Sequence, residues 1–322
     1  MPQLAQARQQ GYRRGYCGLF EVKWLVVGAG GAGRCHIAAI AHTADAVLSG
    51  VVDPHTEPVI GVNVFKDILS AVQESMPDAA IVATPNNSHV RVALDLIGHR
   101  IPTLIEKPVG TSLSDAETIL SQATQSGVPT GVVLNQRVQA HIRWVTQQIQ
   151  SGKFAPASVE IKGAPLRLGG WYAEKSHGGG LMRLIGLHYL DLLLLWFGTP
   201  SGTCVSDLSD NSFDVSFTFS SGCKGRLTLR AAEPGETSPV EITLSGSNAR
   251  VHISGHTATD FEGLEAPMPA EDTLPGLAFG PGHLTIISEA TKALQRGDPF
   301  PIPLGAVLPA IRLVDEINSV AP

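Results

Sequence analysis

Short, continuously apolar segments recur along the first half of the chain, and stretches of helical composition separate them. The apolar segments predict strands over residues 24–27, 47–52, 79–83, 103–105 and 130–134. The intervening stretches predict helices over residues 34–42, 90–97 and 113–125. Parallel strands joined by crossover helices are buried on both faces, so they lack the alternation of polar and apolar positions. The pattern therefore predicts a doubly wound parallel sheet in an α/β domain.

After residue 135 the pattern changes. Helices are predicted over residues 139–151, 181–197, 283–295 and 304–319, the second of them strongly apolar. Four alternating segments predict strands over residues 214–220, 224–230, 240–244 and 250–253. Successive strands without intervening helices indicate a mainly antiparallel sheet. We therefore expect a flexible extension over residues 1–20, a parallel α/β domain over residues 21–137 and an α+β domain over residues 138–322.

Composition and charge argue against several classes of partner. The net charge is −6 over 322 residues, so no overall attraction draws the chain to nucleic acid or to an anionic membrane. The longest apolar run, around residues 192–197, falls well short of the roughly 18 residues of a membrane span, and no signal segment opens the chain. We expect a cytoplasmic protein. Its cysteines are widely spaced, and His252 and His256 lack a nearby third ligand, which predicts free thiols and no metal site.

A glycine cluster between the first strand and the first helix fits the pattern GxGxxG. In this Rossmann motif the first glycine permits a tight turn, the second lets a pyrophosphate approach the backbone, and the third lets helix and strand pack closely. The residues expected to contact a dinucleotide are Gly28, Gly30, Gly31, Ala32 and Gly33. Asp53 ends the next strand, where a carboxylate binds ribose hydroxyls and repels a 2′-phosphate, so NAD is favoured over NADP. The alternative is an ordinary turn followed by a strand-end aspartate.

Two more polar segments follow later strands and so should face the same cofactor, because ligands bind beyond the carboxyl ends of parallel strands. The first runs from Thr84 to His89, and its alternative role is to cap the helix that follows. The second is Glu106-Lys107-Pro108. Burial of Lys107 in the cofactor crevice would depress its pKa and suit it to proton transfer.

Residues 81–110, which read IVATPNNSHVRVALDLIGHRIPTLIEKPVG, resemble the Gfo/Idh/MocA family of oxidoreductases, whose members carry an AxPxxxH loop followed by EKP. Residues 135–137, 178–180 and 186–188 match the family as well, and the resemblance extends over nearly the whole chain after residue 20. It implies an enzyme that transfers hydride between NAD and a secondary hydroxyl or ketone of a sugar, and that forms a homodimer or homotetramer. Further cofactor contacts are implied for Thr84, Pro85, Asn86, His89, Glu106, Lys107 and Asn135.

The resemblance also implies that Lys107 and His188 are the catalytic residues and that Pro108 follows a cis peptide bond. Leu184, His188 and Asp191 have the i, i+4, i+7 spacing of one helix face, and the alternative for His188 is a buried imidazole bonded to Asp191. One departure matters: inositol-dehydrogenase-like members carry aspartate where this chain has Leu184. The departure makes Lys107 the stronger candidate for general base. It favours the branch that acts on nucleotide-linked sugars, such as oxidation of the 3-hydroxyl of UDP-N-acetylglucosamine.

Arginines and aromatic side chains near the second glycine-rich segment suit a nucleotide sugar, because arginine binds phosphate with two parallel hydrogen bonds and an aromatic ring stacks on a base or pyranose. The expected substrate contacts are Lys107, Gln136, Arg137, Arg167, Trp171, Tyr172, His177, Arg183 and His188. Solvated arginines and a core tryptophan are the alternative. Two other functions stay open: a dehydrogenase or reductase of a free sugar, inositol or keto sugar, and a non-catalytic NAD-binding sensor.

Overall fold

A computed structural model of the protein describes residues 20–55, 61–169, 179–236, 238–255, 257–264 and 281–320. The first half forms a sheet of six strands with helices between them. The strands are β1 (Val22–Val27), β2 (Ala46–Val52), β3 (Val64–Phe65), β4 (Ala79–Val82), β5 (Thr103–Glu106) and β6 (Thr130–Val133). The helices are α1 (Gly31–Ala41), α2 (Ile68–Ser75), α3 (His89–Gly98) and α4 (Leu113–Ser126).

All neighbouring strands of this sheet are parallel, in the order β3-β2-β1-β4-β5-β6. This is the Rossmann order, in which the chain reverses its direction of travel between β1 and β4 and leaves a crevice beyond their carboxyl ends. Every residue of β4, β5 and β6 is buried, which explains their lack of alternation. The prediction of a doubly wound parallel sheet is confirmed. The short β3 was not predicted, because two residues carry too little pattern.

The second half contains a seven-stranded sheet in the order β13-β12-β11-β7-β10-β9-β8. Its strands are β7 (Pro156–Ala164), β8 (Pro200–Leu208), β9 (Ser212–Phe219), β10 (Lys224–Arg230), β11 (Ser238–Gly246), β12 (Arg250–Ser254) and β13 (Thr257–Glu262). Only the pairing of β7 with β10 is parallel, so the prediction of a mainly antiparallel sheet is confirmed. The edge strand β8 was missed because most of its side chains are exposed and the segment lacks an apolar face.

The helices of the second half are α5 (Asn135–Val138), α6 (Ala140–Gln150), α7 (Leu187–Phe197), α8 (His283–Arg296) and α9 (Leu308–Ser319). A π-helical turn, Met182–Gly186, precedes α7. The predicted helix over residues 181–197 is present, but residues 182–186 are π-helical, so the α-helical spacing predicted for Leu184 and His188 does not hold across this turn. Apolar periodicity does not mark the extra residue of a π turn, and such turns are frequent at functional sites. Among the described residues, no helix is long and apolar enough to cross a membrane.

The chain returns to the parallel sheet near its C-terminus. Trp24 of β1 donates its indole N–H to the Thr291 hydroxyl of α8 at 3.1 Å, and Gln295 donates to the carbonyl of Phe20 at 2.7 Å. The Val132 N–H of β6 donates to the Ile302 carbonyl at 2.9 Å. Helix α8 thus packs beside α1 and β1 and brings its first residue towards the carboxyl end of the parallel sheet.

Candidate active site

The glycine turn after β1 has the shape that a dinucleotide-binding turn requires. Gly28 has φ of 99°, and a Cβ there would lie 2.5 Å from the Ala83 carbonyl oxygen. A Cβ on Gly33 would lie 1.9 Å from the Gly28 carbonyl oxygen, so α1 packs directly against the turn. Around Gly30, by contrast, no heavy atom of the described residues lies within 4 Å of the position its Cβ would take. The backbone at Gly30 is therefore open to a ligand, as the pyrophosphate of a dinucleotide requires.

Asp53 lies beside this turn at the end of β2. Its carboxylate accepts the main-chain N–H of Ala29 at 2.8 Å and that of His55 at 2.8 Å. These hydrogen bonds fix the carboxylate next to the glycine turn, where the resemblance expects it to bind the adenosine ribose. Residues 28–33 and Asp53 thus fit NAD, and their roles in binding it remain a prediction.

His89 connects the two polar segments that follow β4 and β5. Its Nε2 lies 2.7 Å from the Thr84 carbonyl oxygen, and its Nδ1 lies 2.8 Å from the Pro108 carbonyl oxygen. Burial lowers the pKa of His89, against the opposing effect of these carbonyls and of Glu106. Because a neutral imidazole carries one N–H, it can donate to only one carbonyl at a time. Both ring nitrogens of His89 thus face these two loops rather than the crevice, and the neutral ring is hydrogen-bonded to one loop at a time.

Lys107 follows β5 of the parallel sheet and contacts the π-helical turn that precedes α7. The Lys107–Pro108 peptide bond is cis, as the resemblance implies. The Lys107 ammonium donates to the main-chain carbonyl of Leu184 at 2.8 Å, in the π-helical turn. Burial lowers the pKa of Lys107, and the negative charge of Glu106 opposes this effect. A lysine with a depressed pKa is suited to accept a proton at neutral to mildly alkaline pH.

Helix α7 begins directly after that turn and carries buried His188 in its first turn. Three residues on, both carboxylate oxygens of Asp191 accept hydrogen bonds from Arg137, at 2.5 and 2.6 Å. Burial raises the pKa of Asp191, although the paired Arg137 opposes that rise. The sequence placed Arg137 against the substrate, whereas the structure places its guanidinium in a buried ion pair that ties α5 to α7.

Two neighbours of Arg137 also use their side chains within the protein. Gln136 donates its amide to the Tyr189 hydroxyl at 3.1 Å, and burial raises the pKa of Tyr189 to about 12. Asn135 donates to the Pro281 carbonyl at 3.0 Å, which fixes the start of α8. The predicted contacts of Asn135 with cofactor and of Gln136 with substrate remain predictions, and these hydrogen bonds compete with them.

Arg183, another predicted substrate residue, has its ion-pair partner on the last helix. The buried Arg183 forms an ion pair with Asp315 of α9, whose carboxylate also accepts the Leu113 N–H at 2.7 Å. Arg167 is exposed in the segment after β7. The predictions for Trp171, Tyr172 and His177 fall outside the described residues. Arg183 thus has a structural partner that its sequence context did not reveal.

Sequence reasoning missed two residues behind the Lys107 turn. His36 of α1 and His283 of α8 both face the buried carboxylate of Glu106, at 2.7 and 3.7 Å from its Oε1. The available signals were weak: His36 closely follows the glycine motif, and His283 opens a helix after a Gly-Pro-Gly turn. Neither signal identifies Glu106 as the partner, because the three residues belong to distant segments of the chain.

Comparisons with known proteins find relatives among oxidoreductases. Residues 22–134 match the model of the Gfo/Idh/MocA family, described as an oxidoreductase family with an NAD-binding Rossmann fold. Over 150 residues the chain is 30% identical to a candidate UDP-kanosamine synthase oxidoreductase subunit of Amycolatopsis mediterranei, covering 45% of this chain and 41% of the relative. It is 25% identical over 186 residues to glucose-6-phosphate 3-dehydrogenase of Bacillus subtilis, covering 53% and 52%. The chain spans about half the length, or less, of these relatives.

The fold is shared with solved structures over nearly the whole chain. The WlbA dehydrogenase of Bordetella pertussis, solved with NADH and UDP-GlcNAcA, superposes with a TM-score of 0.80 at 21% identity, covering 93% of this chain and 95% of that one. At that identity the likeness establishes the two-sheet fold. The site must therefore be argued from this chain's own residues.

Proposed function

We propose, from the premise that residues 22–134 belong to the Gfo/Idh/MocA oxidoreductase family, that the protein is an NAD-dependent oxidoreductase of sugars. The observation that carries the proposal is the 2.8 Å hydrogen bond from the Lys107 ammonium to the Leu184 carbonyl. This hydrogen bond joins the end of β5, which borders the nucleotide-binding crevice, to the π-helical turn that precedes His188. A sugar bound between them would lie next to both candidate catalytic groups.

The chemistry divides between the cofactor and the protein. When bound, NAD accepts the hydride that leaves a carbon bearing a hydroxyl. Lys107 accepts the hydroxyl proton as the ketone forms, and its depressed pKa suits it to that role. His188 is proposed to hydrogen-bond the reacting hydroxyl or its neighbour. No carboxylate stands at position 184 to assist, so Lys107 carries the general-base role in this proposal.

The proposed substrate class is a nucleotide-linked sugar, with oxidation of the 3-hydroxyl of UDP-N-acetylglucosamine as the leading example. Leu184 in place of aspartate supports this class, as do the UDP-sugar names of the relatives. Because Arg183 pairs with Asp315, diphosphate binding in this proposal rests on Arg167 and on the segment around residues 171–177. Homodimer or homotetramer formation and a cytoplasmic location remain predictions.

A second candidate is oxidation of a sugar that carries no nucleotide. The similarity to a glucose-6-phosphate 3-dehydrogenase supports this alternative specifically. A sugar phosphate would need one anion-binding site for its phosphate and would not need a surface on which a nucleotide base stacks. A non-catalytic NAD-binding sensor is the third candidate, and the presence of both Lys107 and His188 argues against it.

The test is NADH formation by the purified protein with NAD or NADP and a panel of UDP-N-acetylglucosamine, other UDP-sugars, glucose 6-phosphate, glucose and inositol. The proposal predicts NADH with a UDP-sugar and competition by free UDP. Turnover of glucose 6-phosphate that free UDP does not inhibit would replace the nucleotide-sugar class with the second candidate. Tight NADH binding without turnover of any keto or hydroxy sugar would support the sensor.

A further inference from the structure

A buried cluster of one carboxylate and two imidazoles lies directly behind the Lys107 turn. Glu106 Oε1 is 2.7 Å from His36 Nε2 and 3.7 Å from His283 Nε2. The imidazole rings meet edge to face, with centroids 5.1 Å apart. Three separate elements contribute to the cluster, namely α1, the end of β5 and the first residue of α8. All three side chains are shielded from solvent.

The position of His283 is fixed by contacts that do not involve Glu106. The preceding Gly282 has φ of 102°, and a Cβ there would lie 2.4 Å from the Asn135 carbonyl oxygen. The Pro281 carbonyl accepts hydrogen bonds from the side chains of Asn135 and Gln139. The start of α8 is therefore docked against the residues that follow β6, and this docking delivers His283 to Glu106.

Glu106 in turn acts on Lys107 in two ways. Its Oε2 accepts the Lys107 main-chain N–H at 3.2 Å, and its negative charge raises the pKa of Lys107 against the larger lowering effect of burial. Burial alone would raise the pKa of Glu106, but the interactions with His283 and His36 outweigh it and hold the carboxyl well below its usual range. The titratable groups around Glu106 are His36, His89, Lys107 and His283. Glu106 is thus an ionised, internally held neighbour of Lys107.

We propose that His283 is a positioning residue for Lys107 and acts through Glu106. In this arrangement the imidazole of α8 lies 3.7 Å from one oxygen of the carboxylate whose other oxygen accepts the Lys107 main-chain N–H. The inference rests on the proposed function, because Lys107 is there the proton-accepting group. It adds that helix α8, and not the nucleotide-binding strands alone, contributes to the protonation of Lys107.

The same three side chains form a donor set that a divalent metal could use, since their nitrogen and oxygen atoms lie within 4.8 Å of one another. Two contacts favour the metal-free cluster. The 2.7 Å contact of His36 with Glu106 is a direct hydrogen bond, and the second carboxylate oxygen is engaged with Lys107. Elemental analysis of the purified protein separates the two: one zinc or iron per chain, lost in His283→Leu, would overturn the positioning proposal.

The test reads Lys107 directly and needs no substrate. Acetylation of Lys107 by acetic anhydride is followed against pH by peptide mass spectrometry, which gives the midpoint of its deprotonation. Glu106→Gln should lower the midpoint by about 1 pH unit or more, because an opposite charge at this range favours the ammonium. His283→Leu should shift it in the same direction by less, since the freed carboxylate can turn away. His283→Gln, which keeps a donor, should restore most of the wild-type value.

Two comparisons make the result specific. The double variant Glu106→Gln/His283→Leu should match Glu106→Gln alone, because His283 acts through Glu106. Thr291→Val removes a buried hydrogen bond from the same helix, that with Trp24, and should leave the Lys107 midpoint unchanged. If His283→Leu does not fold, His283→Ala removes the imidazole instead. A midpoint that stays at the wild-type value in folded His283→Leu or His283→Ala, or additive shifts in the double variant, would overturn the proposal. Absence of turnover in the sugar assay would contradict the proposed function but would not change the acetylation midpoint of Lys107.

Discussion

Replacement of Arg137 by methionine tests whether this residue stabilises the fold or binds substrate. Arg137 and Asp191 are joined by two parallel hydrogen bonds, and their side chains are only 18% and 2% exposed. Removal of one partner from a buried pair leaves an uncompensated charge and costs about 3 kcal/mol of unfolding free energy. Arg137→Met should therefore lower the free energy of unfolding by about 3 kcal/mol, measured by urea denaturation at pH 8.

Asp191 makes the loss dependent on pH. Burial already raises the pKa of this carboxyl, and Arg137→Met raises it further. A carboxyl whose pKa is raised in the folded state binds more protons there than in the unfolded state, so its contribution to stability falls as pH rises from its unfolded pKa through its folded pKa. The deficit of Arg137→Met should thus be larger at pH 8 than at pH 5.

Two controls isolate the buried pair. Arg143 and Glu289 form an equivalent two-bond pair on the surface, where the side chains are 44% and 32% exposed, so Arg143→Met should cost only about 0.5 kcal/mol. The double variant Arg137→Met/Asp191→Leu should recover most of the stability, because an apolar pair replaces the ionic one. Unchanged stability of Arg137→Met, together with a raised KM for the sugar, would refute the structural role and restore the prediction that Arg137 binds substrate.

Three further predictions concern the cofactor and Lys107. Gly30→Ala should fold normally but weaken NADH binding about tenfold or more in a fluorescence titration, and an NADH affinity equal to that of wild type would contradict the dinucleotide role. Gly33→Ala should prevent stable folding, because its Cβ would overlap the Gly28 carbonyl. Asp53→Ser should lower the ratio of kcat/KM with NAD to kcat/KM with NADP. A ratio equal to that of wild type would exclude Asp53 as the residue that discriminates between the two cofactors. The oxidation rate should rise with pH through the pKa of Lys107, which burial lowers from the ordinary value of a lysine. A rate that falls over that pH range would exclude an unprotonated Lys107 as the base.

The fold was predictable because its signals are local. Each buried strand of the parallel sheet is a short apolar run, and the glycine turn needs Gly28 and Gly33 for contacts with residues close by in the fold. The alternation of polar and apolar residues in strands β9–β12 likewise predicts a sheet with one buried face. The π-helical turn escaped prediction because Met182, Leu184 and Ile185 are as apolar as the helix that follows, and apolar character does not distinguish a π turn from an α turn.

The site was predictable only in part, because side-chain partners are not encoded locally. Lys107 was identified from its position at a strand end and from the EKP resemblance, but its bond to the Leu184 carbonyl depends on backbone geometry. Arg183 and Arg137 both suited a phosphate by chemistry, yet each has a carboxylate partner on a distant helix. A sequence shows which groups are charged, and folding determines which of them neutralise one another.

The central claim is that Lys107 accepts the proton while NAD takes the hydride from a sugar. The most direct test is to compare wild type and Lys107→Met for turnover with saturating NAD and the best sugar of the panel, alongside the affinity for NADH. The account predicts a loss in kcat of about 100-fold or more, typical of a removed general base, with NADH affinity changed by less than about threefold. Equal turnover in the two proteins would contradict it.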